Sequence, residues 1–194
     1  MRPMARWEPD AAGRLREAAL ELFEEHGFEQ TTVAEIAERA GLTERTFFRH
    51  FTDKREVLFR GSEALRDTFV DAIDQAPAAA GPLEAVTAAL SAAGAALSPE
   101  IARRRYAVIL ANPELQEREL IKLATYTAAL ADALRRRGVP DPMASLAAET
   151  GMAVFRITFE RWVTDPDARP WTEHLRDARG QLGELVADAP SVLV

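Results

Sequence analysis

Thr31-Thr32-Val33-Ala34-Glu35-Ile36-Ala37-Glu38-Arg39-Ala40-Gly41-Leu42-Thr43-Glu44-Arg45-Thr46-Phe47-Phe48-Arg49-His50-Phe51-Thr52-Asp53-Lys54 is the stretch that decides the fold. Thr32 and Glu35 form a capping box: the hydroxyl accepts from the Glu35 N–H while the carboxylate reaches back to the Thr32 N–H. Val33, Ile36, Ala37 and Ala40 then make one apolar stripe, and Gly41 permits a turn that a Cβ hinders. Leu42-Thr43 opens a second short helix that runs to Phe51. Phe47 and Phe51, four residues apart, anchor one side of it. Its start presents Thr43, Glu44, Arg45 and Thr46. Helix, three-residue turn, helix is the helix-turn-helix pattern. The N-terminal residues of such a second helix are the ones that meet base edges in a major groove.

Outward from this hairpin the signals remain helical. Leu15, Ala18, Ala19, Leu22 and Phe23 recur at three and four residues, and Gly27 is a stop. Thr52-Asp53 caps a longer helix with Leu58, Leu65, Phe69, Ala72 and Ile73 on one side, running until Pro77. Ser98-Pro99-Glu100, Asn112-Pro113-Glu114 and Asp141-Pro142 each place a capping side chain before a proline and predict three more helix starts. Gly138, after Arg135-Arg136-Arg137, predicts a stop with cations at the negative helix end. Phe155, Phe159 and Trp162 share a face of a helix over about 142–163. Leu175, Leu182, Leu185 and Val186 share one over about 170–187. Period-two alternation is not sustained anywhere, so no sheet is expected. The expectation is an all-α chain of about nine helices. A helix-turn-helix three-helix unit occupies 1–60 and a helical domain occupies 61–194.

The chain has 194 residues and no cysteine, which excludes thiolate catalysis, cysteine-based zinc sites and disulfide scaffolds. Its net charge of −7 excludes a uniformly basic coat for nucleic acid. The window 39–60 departs from that balance, with six Lys/Arg against three acids. Met1 to Glu8 holds no apolar core for a signal peptide. The weakly charged stretch 76–98 is mostly alanine and is broken by Gly81, Pro82 and Gly94, too interrupted for a membrane span. A soluble, cytoplasmic protein is expected. His26 suits a helix end, and His174 reads as a surface residue. With His50 they make no metal-ligand spacing. Nucleophile elbows, phosphate-cradling glycine loops and dinucleotide fingerprints are missing, so neither an enzyme nor a cofactor is expected.

The run Thr31–Lys54, with the preceding Ala18-Ala19-Leu20-Glu21-Leu22-Phe23-Glu24-Glu25-His26-Gly27-Phe28, resembles the DNA-binding signature of TetR-family regulators over roughly residues 14–60. The Phe-Phe-Arg-His-Phe run and the later helices look most like actinobacterial members that sense acyl-CoA-like ligands. The resemblance implies residue roles. Thr32 and Lys54 match phosphate-contacting positions at helix starts. Thr43, Glu44, Arg45 and Thr46 match base-reading positions. Phe48 and His50 match positions that touch the backbone. Many members have Tyr where Phe48 stands; the phenylalanine offers only apolar contact, to sugar or a thymine methyl, and Arg49 is positioned to replace the lost hydrogen bond. Arg2 and Arg6 suit a minor-groove or phosphate-binding arm.

In the second part, Tyr106, Ile109, Leu110, Leu123, Tyr126, Thr127, Leu130, Met152, Phe155 and Phe159 are the larger side chains among alanine-rich helices. Most suit ordinary core. The alanines leave room for a pocket in which Tyr126, Thr127 and Arg156 supply polar tips to a small, largely apolar effector. Arg103-Arg104-Arg105 reads as a solvated helix face. Trp162, Leu175, Leu182 and Val186 are the expected contacts with a twofold mate. Together these readings describe a homodimeric, ligand-responsive repressor, released by its effector from palindromic double-stranded operator DNA. The alternatives are a ligand-independent helical DNA-binding protein, for which a filled C-terminal core speaks, and an all-α enzyme, for which no acid–base pair is visible.

Overall fold

The computed structural model describes residues 10–188. Among these the chain forms ten helical segments and no strand: α1 (Ala11–His26), α2 (Val33–Arg39), α3 (Glu44–His50), α4 (Glu56–Phe59), α5 (Ser62–Asp74), α6 (Pro82–Ala96), α7 (Pro99–Leu110), α8 (Pro113–Arg136), α9 (Asp141–Thr164) and α10 (Trp171–Ala187). The single long helix expected from Asp53 to Pro77 is broken in two. Gly61, with φ +87°, takes a left-handed conformation that ends α4 and restarts the chain as α5. Counted as one, α4 and α5 leave the nine helices expected.

The chain divides into two units. The first runs to Arg60 and includes Arg104–Gln116; the second is Gly61–Arg103 with the chain from Glu117 onward. Residues 104–116, expected in the C-terminal domain, pack with the first unit. Side chains explain why. Arg104 forks onto Glu24 at 2.8 and 3.0 Å and also binds Glu17. Arg105 Nε donates to the Leu58 carbonyl at 2.7 Å and its guanidinium lies over the Phe59 ring. Arg55 donates to Glu114 at 2.8 Å. The basic triplet is therefore not a solvated face: two of its members hold the second half of α7 against α1 and the end of α4.

In the first unit, Leu15, Leu22, Phe23, Phe28, Ile36, Phe47, Phe51 and Leu58 form the core. Phe23 and Phe28 meet edge to face at 5.1 Å. In the second unit α6 is the hub. Its alanines Ala85, Ala89 and Ala93 are buried, and α5, α9 and α10 all pack on it. At Gly94 the indole of Trp171 lies where a Cβ stands in other residues, 2.0 Å from the ideal Cβ position. Trp171 Nε1 donates to the Leu90 carbonyl at 3.0 Å. A run of rings continues from there: Trp171 to Trp162 and to Phe155, each at 5.5 Å, Phe155 to Phe69 at 5.5 Å, and Phe69 to Tyr126 at 5.3 Å.

Two features of α8 to α10 differ from expectation. His174 is not on the surface. It is 1% exposed, sharing the inward face of α10 with Trp171, Leu175 and Ala178, and its Nε2 lies 2.9 Å from Asp165 Oδ2. Asp165 also accepts from the Asp167 N–H and from Arg169, which hold its carboxyl below the usual range. The cations before Gly138 do not serve their own helix end alone. Arg137 donates to the carbonyls of Ile73, Ala76 and Pro77 at 2.7 to 2.9 Å, capping α5 and the chain beyond it.

The Trp171 contact generates a stability test. Gly94→Ala puts a methyl into the indole and is expected to lower stability by about 1–3 kcal/mol. The measurement is a urea unfolding midpoint. An unchanged midpoint contradicts the tight approach of α10 to α6.

Candidate nucleic-acid interface and the C-terminal grooves

The hairpin forms as its sequence dictates. Thr32 accepts from the Glu35 N–H at 3.2 Å, and Glu35 Oε2 accepts from the Thr32 N–H at 2.7 Å and its hydroxyl at 2.8 Å. These bonds from Thr32, the backbone one first, hold the Glu35 carboxyl below its usual range. Gly41 turns the chain with φ +64°. Arg14 of α1 donates to the Ala40 carbonyl beside that turn. Thr43 caps α3 by accepting from the Thr46 N–H at 3.2 Å, and the two hydroxyls lie 3.0 Å apart. Phe47 is fully buried, worth about 1.5–3 kcal/mol of transfer free energy, and stacks near Phe51 at 5.4 Å. That burial fixes which face of α3 points outward.

The outward face carries Thr43, Glu44, Arg45, Phe48, Arg49 and His50, all exposed, with Thr46 half-buried. Phe48 is 55% exposed, unusual for a ring of that size. Among the described residues Arg45 and Glu44 have no ion-pair or hydrogen-bond partner, and Arg49 touches only His50, at 3.5 Å. Thr32 is exposed at the start of α2, with its hydroxyl engaged in the capping box. Arg2 and Arg6 lie outside the described residues.

Lys54 departs from its expected role. Its ammonium donates to the carbonyls of Phe28, Glu29 and Thr31 at 2.7, 3.1 and 3.1 Å and lies 4.4 Å from the centre of the Phe28 ring. An ammonium has three donors. All three are used, and none is left for a phosphate. Lys54 is a staple on the loop that joins α1 to α2.

The ten pocket candidates scatter. Tyr106, Ile109 and Leu110 belong to the first unit, where Leu110 is exposed and Ile109 buried. Tyr126, Leu130 and Phe155 are buried in the core, and Phe159 is half-buried beside Phe155 and Trp162. Aromatic rings thus fill the space that the alanines seemed to leave. Only Leu123, Thr127 and Met152 line a common space, a groove of about 440 Å³ between α8 and α9. Leu120, Ala124, Ala128 and Ala131 complete its apolar floor, with Glu149 and Arg156 on its α9 side.

The interface candidates divide as well. Trp162 and Leu175 are 4% and 5% exposed, consumed by the chain's own core. Leu182 and Val186 line a second groove, of about 610 Å³, with Leu83, Met143 and Leu146. A further exposed, largely apolar stripe lies on α9. Met143, Leu146, Thr150, Ala153 and Ile157 follow one another at intervals of three and four, and Leu146 is 62% exposed. That spacing is visible in the sequence and marks a helix-packing seam.

Comparison with known proteins follows the same division. Residues 15–60 match the family model of bacterial regulatory proteins of the tetR family, and residues 80–187 match that of the MftR C-terminal domain. The transcriptional regulator TcmR of Streptomyces glaucescens is 45% identical over 74 residues, a match that spans 38% of this chain and a third of TcmR. A Mycobacterium tuberculosis protein provisionally named as the mycofactocin biosynthesis transcriptional regulator MftR is 29% identical over 156 residues, 78% of this chain and 79% of the relative. Among solved structures, a transcriptional regulator from Pseudomonas aeruginosa PAO1 superimposes with a TM-score of 0.66 at 21% identity, covering 95% of both chains. FadR from Bacillus subtilis, solved with stearoyl-CoA, gives 0.61 at 19%, covering 88% of this chain and 96% of FadR. The chain belongs to the tetR family of bacterial transcriptional regulators, with a C-terminal domain of the MftR type.

Proposed function

We propose that the protein is a cytoplasmic homodimeric repressor that reads a palindromic operator with two copies of α3 and leaves it when a small amphiphile binds the C-terminal unit. The observation that carries the reading is the outward face of α3, where Arg45 stands exposed and without an acid among the described residues, in a chain of net charge −7. On this reading Thr43, Glu44, Arg45 and Thr46 read base edges, and Phe48 packs on sugar or a thymine methyl. Thr32, Arg49 and His50 meet phosphates. One seven-residue helix reads too few bases for useful specificity, so two copies are required. The seam on α9, with Leu182, Leu185 and Val186 of α10, supplies the face for the second copy.

The groove between α8 and α9 is the proposed effector site. Its floor is apolar and two arginines line it, Arg135, engaged by Asp132 and Asp141, and Arg156, which suits an acyl chain with an anionic or thioester-linked head. The stearoyl-CoA bound by FadR, a protein of the same fold, supports that class. The effector acts by favouring a conformation whose half-site spacing misfits the operator. The filled aromatic core favours a second reading, a regulator that responds to no ligand, and the two readings are separable.

Four outcomes test the proposal. Arg45→Ala is expected to relax base preference and weaken operator binding by about 1–3 kcal/mol. Lys54→Ala is expected to lower the melting temperature while leaving the salt slope of DNA binding unchanged; a slope lower by about one means that Lys54 contacts a phosphate after all. Leu146→Glu, at an exposed position, is expected to give folded monomers with weak operator binding. Light scattering that finds the variant dimeric, or the parent monomeric, removes the seam as the interface. Thr127→Trp fills the α8–α9 groove and is expected to abolish the response to acyl thioesters with operator binding intact. A parent that no acyl thioester or fatty acid displaces from DNA favours the ligand-independent reading.

A further inference from the structure

We propose that the groove between α6 and α10, on the second unit, is a binding site for a small oxyanion, with a phosphoryl group as the preferred occupant. The groove has a volume of about 450 Å³. Thr87 and Ser91 line it from α6, and Thr172, Leu175, Arg176 and Arg179 line it from α10. Among these residues are four side chains with hydrogen-bond donors and no partner in the described structure: Ser91, Thr172, Arg176 and Arg179. No carboxylate lines the groove, and α6 carries only one acid, Glu84, in its first turn.

Both absences of a partner stand out against their surroundings. Helical threonines of this unit commonly donate to the carbonyl four residues back, as Thr68, Thr87, Thr125, Thr127 and Thr164 do. The Ser91 hydroxyl, well inside α6, makes no such bond; Thr172, the second residue of α10, has no helical carbonyl four residues back and keeps its hydroxyl open at the groove. The arginines of this unit commonly reach an acid, an amide or a carbonyl, as Arg66, Arg135, Arg136, Arg137, Arg161 and Arg169 do. Arg176 and Arg179 do not; Arg103 and Arg156 also have no partner among the described residues, but only Arg176 and Arg179 share one groove. They are three residues apart on one helix, so their Cβ atoms are neighbours at about 5–6 Å and the like charges repel. An anion between them relieves that repulsion.

The chemistry selects the occupant. Two guanidiniums and two hydroxyls offer more N–H and O–H donors than a carboxylate's two oxygens can accept, whereas a phosphoryl group presents three oxygens and up to two negative charges. Guanidinium binds such a group through paired N–H donors. The groove is also set before any ligand arrives. The close approach of Trp171 to Gly94 and its bond to the Leu90 carbonyl fix α10 against α6 one turn from Ser91 and beside Thr172. This site is distinct from the α8–α9 groove, but Arg179 also lines the groove of Leu182 and Val186 assigned to the second copy, so the oligomeric state of every variant is read beside its binding.

The probe is sodium pyrophosphate, with inorganic phosphate and acetate as parallel arms, titrated calorimetrically into the intact protein at constant ionic strength. Saturable binding is expected, with pyrophosphate tightest and acetate weakest. The double variant Arg176→Gln, Arg179→Gln is expected to bind at least tenfold more weakly with an unchanged melting temperature. Ser91→Ala is expected to lose affinity from the opposite wall. Arg66→Gln, an arginine of α5 that is paired with Asp67 and lines neither groove, is expected to bind as the parent does. Acetate binding as tightly as phosphate, with the same loss in the double variant, keeps the oxyanion site and assigns it to carboxylates. The proposal is overturned if no probe saturates, or if the double variant binds like the parent. It is equally overturned if the parent binds nothing and the double variant changes oligomeric state, because the arginines then pair with acids of a second copy.

Discussion

The DNA-reading unit depends on long cationic side chains that satisfy backbone carbonyls. Its helices α2, α3 and α4 have seven, seven and four residues. Helices shorter than about 12–15 residues are marginal by themselves, and their ends leave carbonyls without intrahelical partners. Arg14 takes the Ala40 carbonyl, Lys54 takes those of Phe28, Glu29 and Thr31, and Arg105 takes that of Leu58. Each bond ties the end or flank of a short helix to a side chain from another segment. The loops therefore hold their shape, and α3 keeps its angle to α1.

This use of cations also explains where the basic excess of residues 39–60 finally acts. Arg39 is bound by Glu21 and Glu25, Arg55 by Asp53 and Glu114, Lys54 by carbonyls, and Arg60 lies 3.6 Å from Asp10. Among the described residues Arg45 and Arg49 remain without an acid, and both are on α3. A window that is only mildly basic by count thus concentrates its free charge on one short helix. A chain of net charge −7 can approach a polyanion with that helix foremost, because charge at contact range outweighs a total screened beyond about 8–10 Å.

What the sequence made legible was local. The capping box, the Gly41 turn and the Phe47 anchor each depend on residues within about five positions of one another, and they form; α9 does start at Asp141-Pro142, but Asp141 is its first residue and binds Arg135 instead of capping. What it concealed was long-range. The resemblance implies a phosphate contact for Lys54; its partners are carbonyls 23 to 26 residues away. Arg104 was read as solvated because its partners Glu17 and Glu24 are 80 or more residues distant. Trp162 and Leu175 were chosen for the interface because large apolar residues on a late helix suggest a partner. The same size makes them the better fillers of the chain's own core, so the exposed seam is left to Met143, Leu146 and Ile157.

Helix α9 shows why apolar content alone misplaces a site. It carries three stripes: Ala144, Ala148, Gly151, Phe155 and Trp162 face the core, Ser145, Glu149, Met152 and Arg156 flank the α8 groove, and Met143, Leu146, Thr150, Ala153 and Ile157 face outward. Only the first is dense enough to fill space, and the rings of Phe69, Tyr126 and Trp171 complete it. A large ligand at the centre of this unit has to displace those rings, each worth about 1.5–3 kcal/mol of burial. The grooves on either side of the outward stripe ask for no such displacement. On the proposed reading, effector and second copy therefore meet the same helix on adjacent stripes, one turn of side chains apart. A ligand that shifts α9 by a fraction of that spacing alters the seam on which the distance between two recognition helices depends.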